Sequence, residues 1–224
     1  MSRIFLVRHG QASWGAENYD TLSELGHRQA AATGAWLARQ GIDPVRLISG
    51  ELIRQRDSRA AAAAAAGWRV APECDPAWDE YDHLAVLAAL PAEDPVYAAS
   101  AASVERRAFD ARAFDVVYAA ALRRWVLGEG DYPETYAAFT ARASAALESL
   151  AATLAPKEDA VVVTSGGVIS AIGAHLLDGG PLVWDRLQRT VVNASVTQVR
   201  VGARGIHLMS FNEASHLGEL WSAR

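Results

Sequence analysis

The chain has 224 residues, 51% of them apolar and 21% charged, which suits one globular domain of ordinary size with a sizeable core. Its formal net charge of -5 argues against general binding to nucleic acid or a membrane surface, since both rest on basic patches. No apolar run approaches the roughly 20 residues of a membrane span, and the N-terminus enters its first strand too early for a signal peptide, so a cytoplasmic location is expected.

Ile4 to Val7 form a continuous apolar run, the pattern of a strand buried on both faces in a parallel sheet. Ligands of open α/β sheets collect outside the carboxyl ends of the strands, and Arg8, His9 and Gln11 arrive there together, with Gly10 permitting a close turn. A neutral imidazole can attack phosphorus while a neighbouring arginine grips the phosphoryl oxygens. A lone histidine after a strand is more often a structural hydrogen-bonder, so the triplet alone decides nothing. Asn18, Tyr19 and Asp20 fall in a loop before the first helix, whose candidate N-cap is Ser23. Leu25, Ala32, Trp36 and Leu37 give that helix an apolar stripe, and Gly41 fits its C-terminal stop. A second strand is expected near Val45 to Ile48. The helix after it starts near Glu51 and continues through an alanine tract to Ala66, alanine being the best helix former. Arg54 falls in its first turn, where a guanidinium and backbone N–H groups can face one anion; taken alone it reads as a surface arginine, and Arg56 and Arg59 are the alternatives.

A third strand is expected from Arg69 to Glu73. Cys74, the only cysteine, cannot make an internal disulfide and lacks nearby Cys or His ligand spacing, so a buried, inert thiol is expected. From Trp78 to about Pro156 the sequence is helical and rich in alanine and aromatic residues, with turns at Pro91, Pro95 and Gly128 to Gly130. This reads as a helical insertion, about 78–157, whose Arg106, Arg107, Arg123 and Arg124 form a solvated face. Its last helix has a capping-box pattern in Asp131 and Glu134, Pro133 in the first turn, and Tyr136, Phe139, Ala143, Leu147, Leu150 and Leu154 at helical spacing. Ala160 to Thr164 is another buried strand, after which Ser165, Gly166 and Gly167 open a helix at a ligand end. Val191 to Val201 and Ile206 to Phe211 read as two strands joined by a short turn.

Three segments carry more together than any does alone. Arg8-His9-Gly10-Gln11 is followed by Leu22-Ser23-Glu24-Leu25-Gly26-His27-Arg28-Gln29-Ala30, and then by Ser49-Gly50-Glu51-Leu52-Ile53-Arg54. In this order they resemble the histidine phosphatase superfamily, with its phosphoglycerate mutase-like fold, and the resemblance covers roughly residues 1–80 and 160–212. It implies a three-layer α/β/α sandwich with a mostly parallel sheet, in a single domain of residues 1–224 that carries the helical insertion.

The resemblance also implies a reaction, phosphomonoester hydrolysis through a phosphohistidine on His9. Arg8 and Arg54 would clamp the phosphoryl group. Within Trp78-Asp79-Glu80-Tyr81-Asp82, Glu80 best fits the acid that protonates the leaving group, with Asp79 and Asp82 as alternatives. Gln11, Asn18, Ser165 and Gly166 would contact the substrate. Ser165 is also the departure from the pattern, because it stands where the family carries a second histidine. A serine keeps a donor hydroxyl but no positive charge, and loss of one oxyanion donor slows an enzyme by about 100- to 1000-fold. A slow or specialised phosphatase is therefore expected, and His216 and His83 are the candidates to replace the missing imidazole. The alternative is a catalytically weak or silent phospholigand-binding or scaffold protein of the same fold. No mutase-type substrate segment is recognisable in the insertion. Neither a metal nor a cofactor is implied, because cationic side chains already supply the charge a metal would bring. The expected partner is a small phosphorylated substrate, with no nucleic acid and no membrane, and the oligomeric state is left open.

Overall fold

A computed structural model describes residues 1–13, 20–91 and 111–222, without side-chain detail at 111–114. Asn18, Pro95, Arg106 and Arg107 lie outside the described residues. By its internal contacts the chain forms two compact units, residues 1–80 with 142–224, and residues 81–141.

The first unit is built on a six-stranded sheet. Its strands are β1 (Ser2–Arg8), β2 (Arg46–Ser49), β3 (Pro72–Cys74), β4 (Asp159–Thr164), β5 (Val196–Gly202) and β6 (Gly205–Glu213), in the spatial order β3-β2-β4-β1-β5-β6. The first four in that order run parallel, and β5 and β6 add an antiparallel edge. β1 and β4 lie in the middle and pair in register from Arg3 with Asp159 to Arg8 with Thr164. Their continuous apolar runs follow from burial on both faces. Phe5, Val7, Leu47, Val161, Val163 and Val196 share one core with Leu37 of helix α1 (Glu24–Arg39). Ile4, Leu6, Ala160 and Val162 alternate to the other face and are equally buried. There α6 (Gly166–Leu176) contacts β1 and β6, so helices cover the sheet in an α/β fold with a mostly parallel sheet.

Ser23 caps α1 by accepting the Gly26 N–H at 3.0 Å, and Gly41, at φ +74°, follows its last turn. The most deeply buried stripe of α1 is Gly26, Gln29, Ala30, Thr33, Gly34 and Leu37, smaller and more polar than the expected one. Small residues let α1 lie close against α2 (Ile53–Ala66): a Cβ on Gly34 would stand 2.1 Å from the Ala62 carbonyl oxygen.

Four expectations require correction. The third strand covers only Pro72–Cys74, and Cys74 is exposed on it, because β3 is a sheet edge with one neighbour. The run from Val191 enters β5 only at Val196. Val192 and Ala194 are buried in a turn, where Ala194 has φ +56° and packs with Leu217, so apolar content here reflects packing rather than a strand. A helix not expected from the sequence, α7 (Gly180–Gln188), precedes that turn and buries Trp184. The helix expected to start at the Asp131 capping box begins at Tyr136, where the Thr135 hydroxyl accepts the Ala138 N–H at 3.2 Å.

In the second unit, α3 (His83–Ala88) and α4 (Ala111–Leu127) are in contact, and the first turns of α5 (Tyr136–Thr153) complete it. Its centre is aromatic. The Trp125 ring lies 4.7 Å from Tyr81 and 5.6 Å from Phe139, and its indole N–H donates to the Glu134 carbonyl at 2.8 Å. Among the described residues no helix is long and apolar enough to cross a membrane.

The α1–α2 approach yields a stability prediction. Gly34→Ala should lower the unfolding free energy in a urea titration by about 1 to 3 kcal/mol, because the added methyl meets backbone that cannot rotate away. The better helix propensity of alanine, about 1 kcal/mol, opposes this and should not outweigh it.

Candidate active site

The site is assembled where β1 ends. The His9 N–H donates to the Thr164 carbonyl at 2.9 Å, continuing the β1–β4 pairing past the last strand residue, and the His9 carbonyl accepts the Ala194 N–H at 3.1 Å. The next peptide turns sharply, and the Gly10 N–H donates to the Ser58 hydroxyl at 2.9 Å. Glycine is required there, since a Cβ on Gly10 would meet the Gly26 carbonyl oxygen at 2.2 Å. Gln29 locks the far side by accepting the Gln11 N–H at 2.8 Å and donating to the Leu220 carbonyl at 2.7 Å.

His9 is 6% exposed. Its Nδ1 lies 2.7 Å from the Gly10 carbonyl oxygen, and Arg54 Nε donates to its Nε2 at 3.2 Å. A carbonyl can only accept, so Nδ1 carries the proton and Nε2 presents its lone pair. The charge state agrees: burial holds the pKa well below 6.5, the Arg54 and Arg8 charges act in the same direction, and the Gly10 carbonyl opposes them.

Arg54 comes from the first turn of α2 and is buried. It also pairs with Asp20, whose carboxylate binds the guanidinium at 2.6 Å and accepts the Ile53 N–H at 2.7 Å. Arg8, half-buried, donates to the Val191 carbonyl. Its Nε lies 3.6 Å from where a Gly166 Cβ would stand.

The segment after β3 reaches the same place. Thr164 Oγ1 donates to the Trp78 carbonyl at 2.6 Å, and Arg142 donates to the carbonyls of Ala77 and Asp79, both at 3.0 Å. Two residues beyond Trp78, Glu80 accepts the Gly167 N–H at 2.9 Å through Oε2, at the N-terminus of α6 where a carboxylate is favoured. Asp79 instead turns to the start of α2 and accepts the Glu51 N–H at 2.6 Å. Asp82 caps α3.

The structure thus brings Arg8, His9, Arg54 and Glu80 to one end of the sheet, with Gly166 beside Arg8. Gln11 is held at the edge of this group, its Oε1 accepting from the Ser23 hydroxyl at 3.0 Å. Ser165 lies directly after β4 and is fully buried, and its hydroxyl accepts from Gln55 Nε2 at 2.9 Å. Two histidines, His216 and His83, are the candidates to replace the missing imidazole. His216 stacks on Trp36 and pairs with Thr33 at 2.9 Å, and His83 opens α3 in the other unit. Sequence reasoning missed Asp20, Gln55 and Ser58. Asp20 meets Arg54 from 34 positions away, a separation that leaves no local pattern to read.

Among curated proteins no sequence matches the chain significantly. Solved structures do. A mycobacterial glucosyl-3-phosphoglycerate phosphatase in complex with VO3 is 25% identical, with 95% of this chain and 99% of that one covered and a TM-score of 0.64. An Entamoeba histolytica phosphoserine phosphatase mutant in complex with phosphoserine is 18% identical, with coverages of 97% and 100% and a TM-score of 0.67. A phosphoglycerate mutase from Bacillus anthracis str. Sterne is 15% identical, with coverages of 98% and 96% and a TM-score of 0.68. The family model for branch 1 of the histidine phosphatase superfamily matches residues 4–214, nearly the whole chain, and the chain therefore belongs to that superfamily.

Proposed function

We propose that the protein hydrolyses small phosphomonoesters through a phosphohistidine on His9. The observation that carries this reading is the state of the His9 ring, a buried neutral imidazole with its Nδ1 proton on the Gly10 carbonyl and its Nε2 lone pair held against Arg54. Nε2 attacks phosphorus in line with the ester oxygen, the N–P bond forms, and the P–O bond to the leaving group breaks. Arg54 redirects its Nε–H hydrogen bond from the imidazole to a phosphoryl oxygen, keeping its proton, and Arg8 donates to another. The positive charge on the phosphorylated ring is eased by the Nδ1–H donation to Gly10. Glu80 gives a proton to the departing alkoxide from Oε1, the oxygen that does not accept from Gly167. It then takes one back from the water that cleaves the N–P bond. Gln11, Gly166 and Asn18 belong to the substrate-contacting set in this proposal.

The resemblance to two phosphatases, one solved with VO3 and one with phosphoserine, supports hydrolysis of a phosphorylated small molecule. One observation favours a second reading. Ser165 offers no imidazole, as a phospholigand-binding protein without turnover would tolerate. A panel of sugar phosphates, nucleotides and phosphopeptides separates the two, since only the enzyme releases inorganic phosphate.

Brief mixing with an aryl phosphomonoester should leave acid-labile phosphate on His9, and His9→Ala should lose the label and at least about a thousandfold in rate. Turnover by His9→Ala at the wild-type rate would overturn the proposal. Glu80→Gln should slow alkyl phosphates more than aryl phosphates, whose leaving groups need little protonation. Equal losses on both would remove Glu80 from the role of acid.

His9 also makes stability depend on pH. Its folded-state pKa is depressed below the ordinary 6.5, so the unfolded chain binds the extra proton as pH falls. The stability is fully present above pH 6.5 and declines below it, by up to about 1.4 kcal/mol per pH unit for one such site. His9→Gln should flatten that decline in denaturant titrations between pH 6.5 and 5 without abolishing it, because burial lowers the pKa of His216 as well.

A further inference from the structure

Gln55 follows Arg54 on α2, is fully buried, and has no part in the reaction described above. Its Nε2 donates to the Trp78 carbonyl at 3.2 Å and to the Ser165 hydroxyl at 2.9 Å. The Trp78 carbonyl already accepts from Thr164 at 2.6 Å, so the contact to Ser165 is the one that Gln55 alone supplies. The Ser165 oxygen is thereby used as an acceptor. Its hydroxyl hydrogen has no acceptor among the described residues.

Ser165 lies between the groups of the proposed reaction. The carbonyl before it receives the His9 N–H, the glycine after it adjoins Arg8, and the next N–H holds Glu80.

The other end of the Gln55 amide points to the same conclusion. Oε1 is buried and has no donor among the described residues. A Cβ on Gly50 would meet Gln55 Oε1 at 2.0 Å and Asp79 Oδ1 at 2.3 Å, so both oxygens converge on space that only glycine leaves open. Gln55 Oε1 is buried, and the half-buried Asp79 Oδ1 beside it also accepts the Glu51 N–H at 2.6 Å, so a proton on the carboxyl would turn two neighbouring acceptors into a donor and an acceptor. Asp79 is suited to carry it. Burial pushes its pKa up and the Glu51 charge adds to this, against the N–H groups of Glu51 and Leu52 and the Arg142 guanidinium.

We propose that Gln55 is a positioning residue that acts through Ser165: its amide, backed by the Asp79 carboxyl, turns the serine O–H toward the phosphoryl oxygens transferred to His9. An N–H donated to a hydroxyl oxygen strengthens that hydroxyl as a donor, so the chain Asp79–Gln55–Ser165 supplies a neutral hydrogen bond where the family pattern places an imidazole. This rests on the reading of the site as a phosphohistidine enzyme.

The test uses the full chain, p-nitrophenyl phosphate as probe, and the variants Gln55→Met, Ser165→Ala and the double variant, with thermal melting measured on each. Gln55→Met and Ser165→Ala should each lower kcat by about 10- to 100-fold with KM changed less than about threefold. The double variant should match the slower single variant within about twofold, because the two residues act as one donor. Where Gln55→Met does not fold, Gln55→Glu serves: it keeps the shape but accepts the serine hydrogen, and should lower kcat at least as far. Losses that multiply in the double variant, or a lower melting temperature with kcat unchanged, would overturn the proposal while leaving the phosphatase intact. A wild-type chain that turns over neither this probe nor the phosphomonoester panel defeats the functional reading itself, and the role of Gln55 with it.

Discussion

Everything at this end of the molecule depends on the His9 peptide being gripped from both sides. Its N–H extends the parallel β1–β4 ladder onto Thr164, and its carbonyl receives the Ala194 N–H from the turn that leads into β5. These bonds fix the backbone where a strand would otherwise fray. The Gly10 turn can then pass within contact distance of Gly26, which brings the first turn of α1 against the site. A side chain on such a platform has little freedom, as a nucleophile that must meet phosphorus in line requires.

Electrostatics completes what the backbone begins. Two guanidiniums beside a buried imidazole would be costly if the imidazole were charged, and the ring avoids this by staying neutral. Asp20 offsets part of the Arg54 charge and caps Ile53 at the same time, joining the loop before α1 to the start of α2. Glu80 is set on the N–H of Gly167 by a segment pinned at Trp78, Asp79 and the Arg142 side chain. The cationic and acidic groups thus reach one place from separate elements, each held by its own backbone partner.

Much of this was legible in the sequence where the signal is local. The runs Ile4 to Val7 and Ala160 to Thr164 read as doubly buried strands, and Ser23 and Gly41 mark the two ends of α1. Arg8 and His9 are readable because their strand delivers them. What could not be read depends on partners far apart in sequence. The Gln55 amide finds a hydroxyl 110 positions away, and Ser58 finds the Gly10 N–H from 48 positions away, so neither leaves a periodicity. The turn at Val192 to Ser195 misleads for a related reason: its apolar side chains are buried by neighbours rather than by strand pairing. The true start of α5 was hidden by a capping box whose Glu134 carbonyl instead receives the Trp125 indole N–H.

Cys74 shows how far apart two kinds of nucleophile lie in one sheet. The chain holds a single thiol, exposed on the edge strand β3, and β2 and β4 stand between that strand and β1. At about 4.8 Å per strand this is a separation of roughly 14 Å across the sheet. Maleimides and iodoacetamides therefore have one thiol to reach, and it is not beside His9. The protein carries a ready address for a fluorophore or spin label, and reagents that silence cysteine-based phosphatases have no thiol to attack at this imidazole.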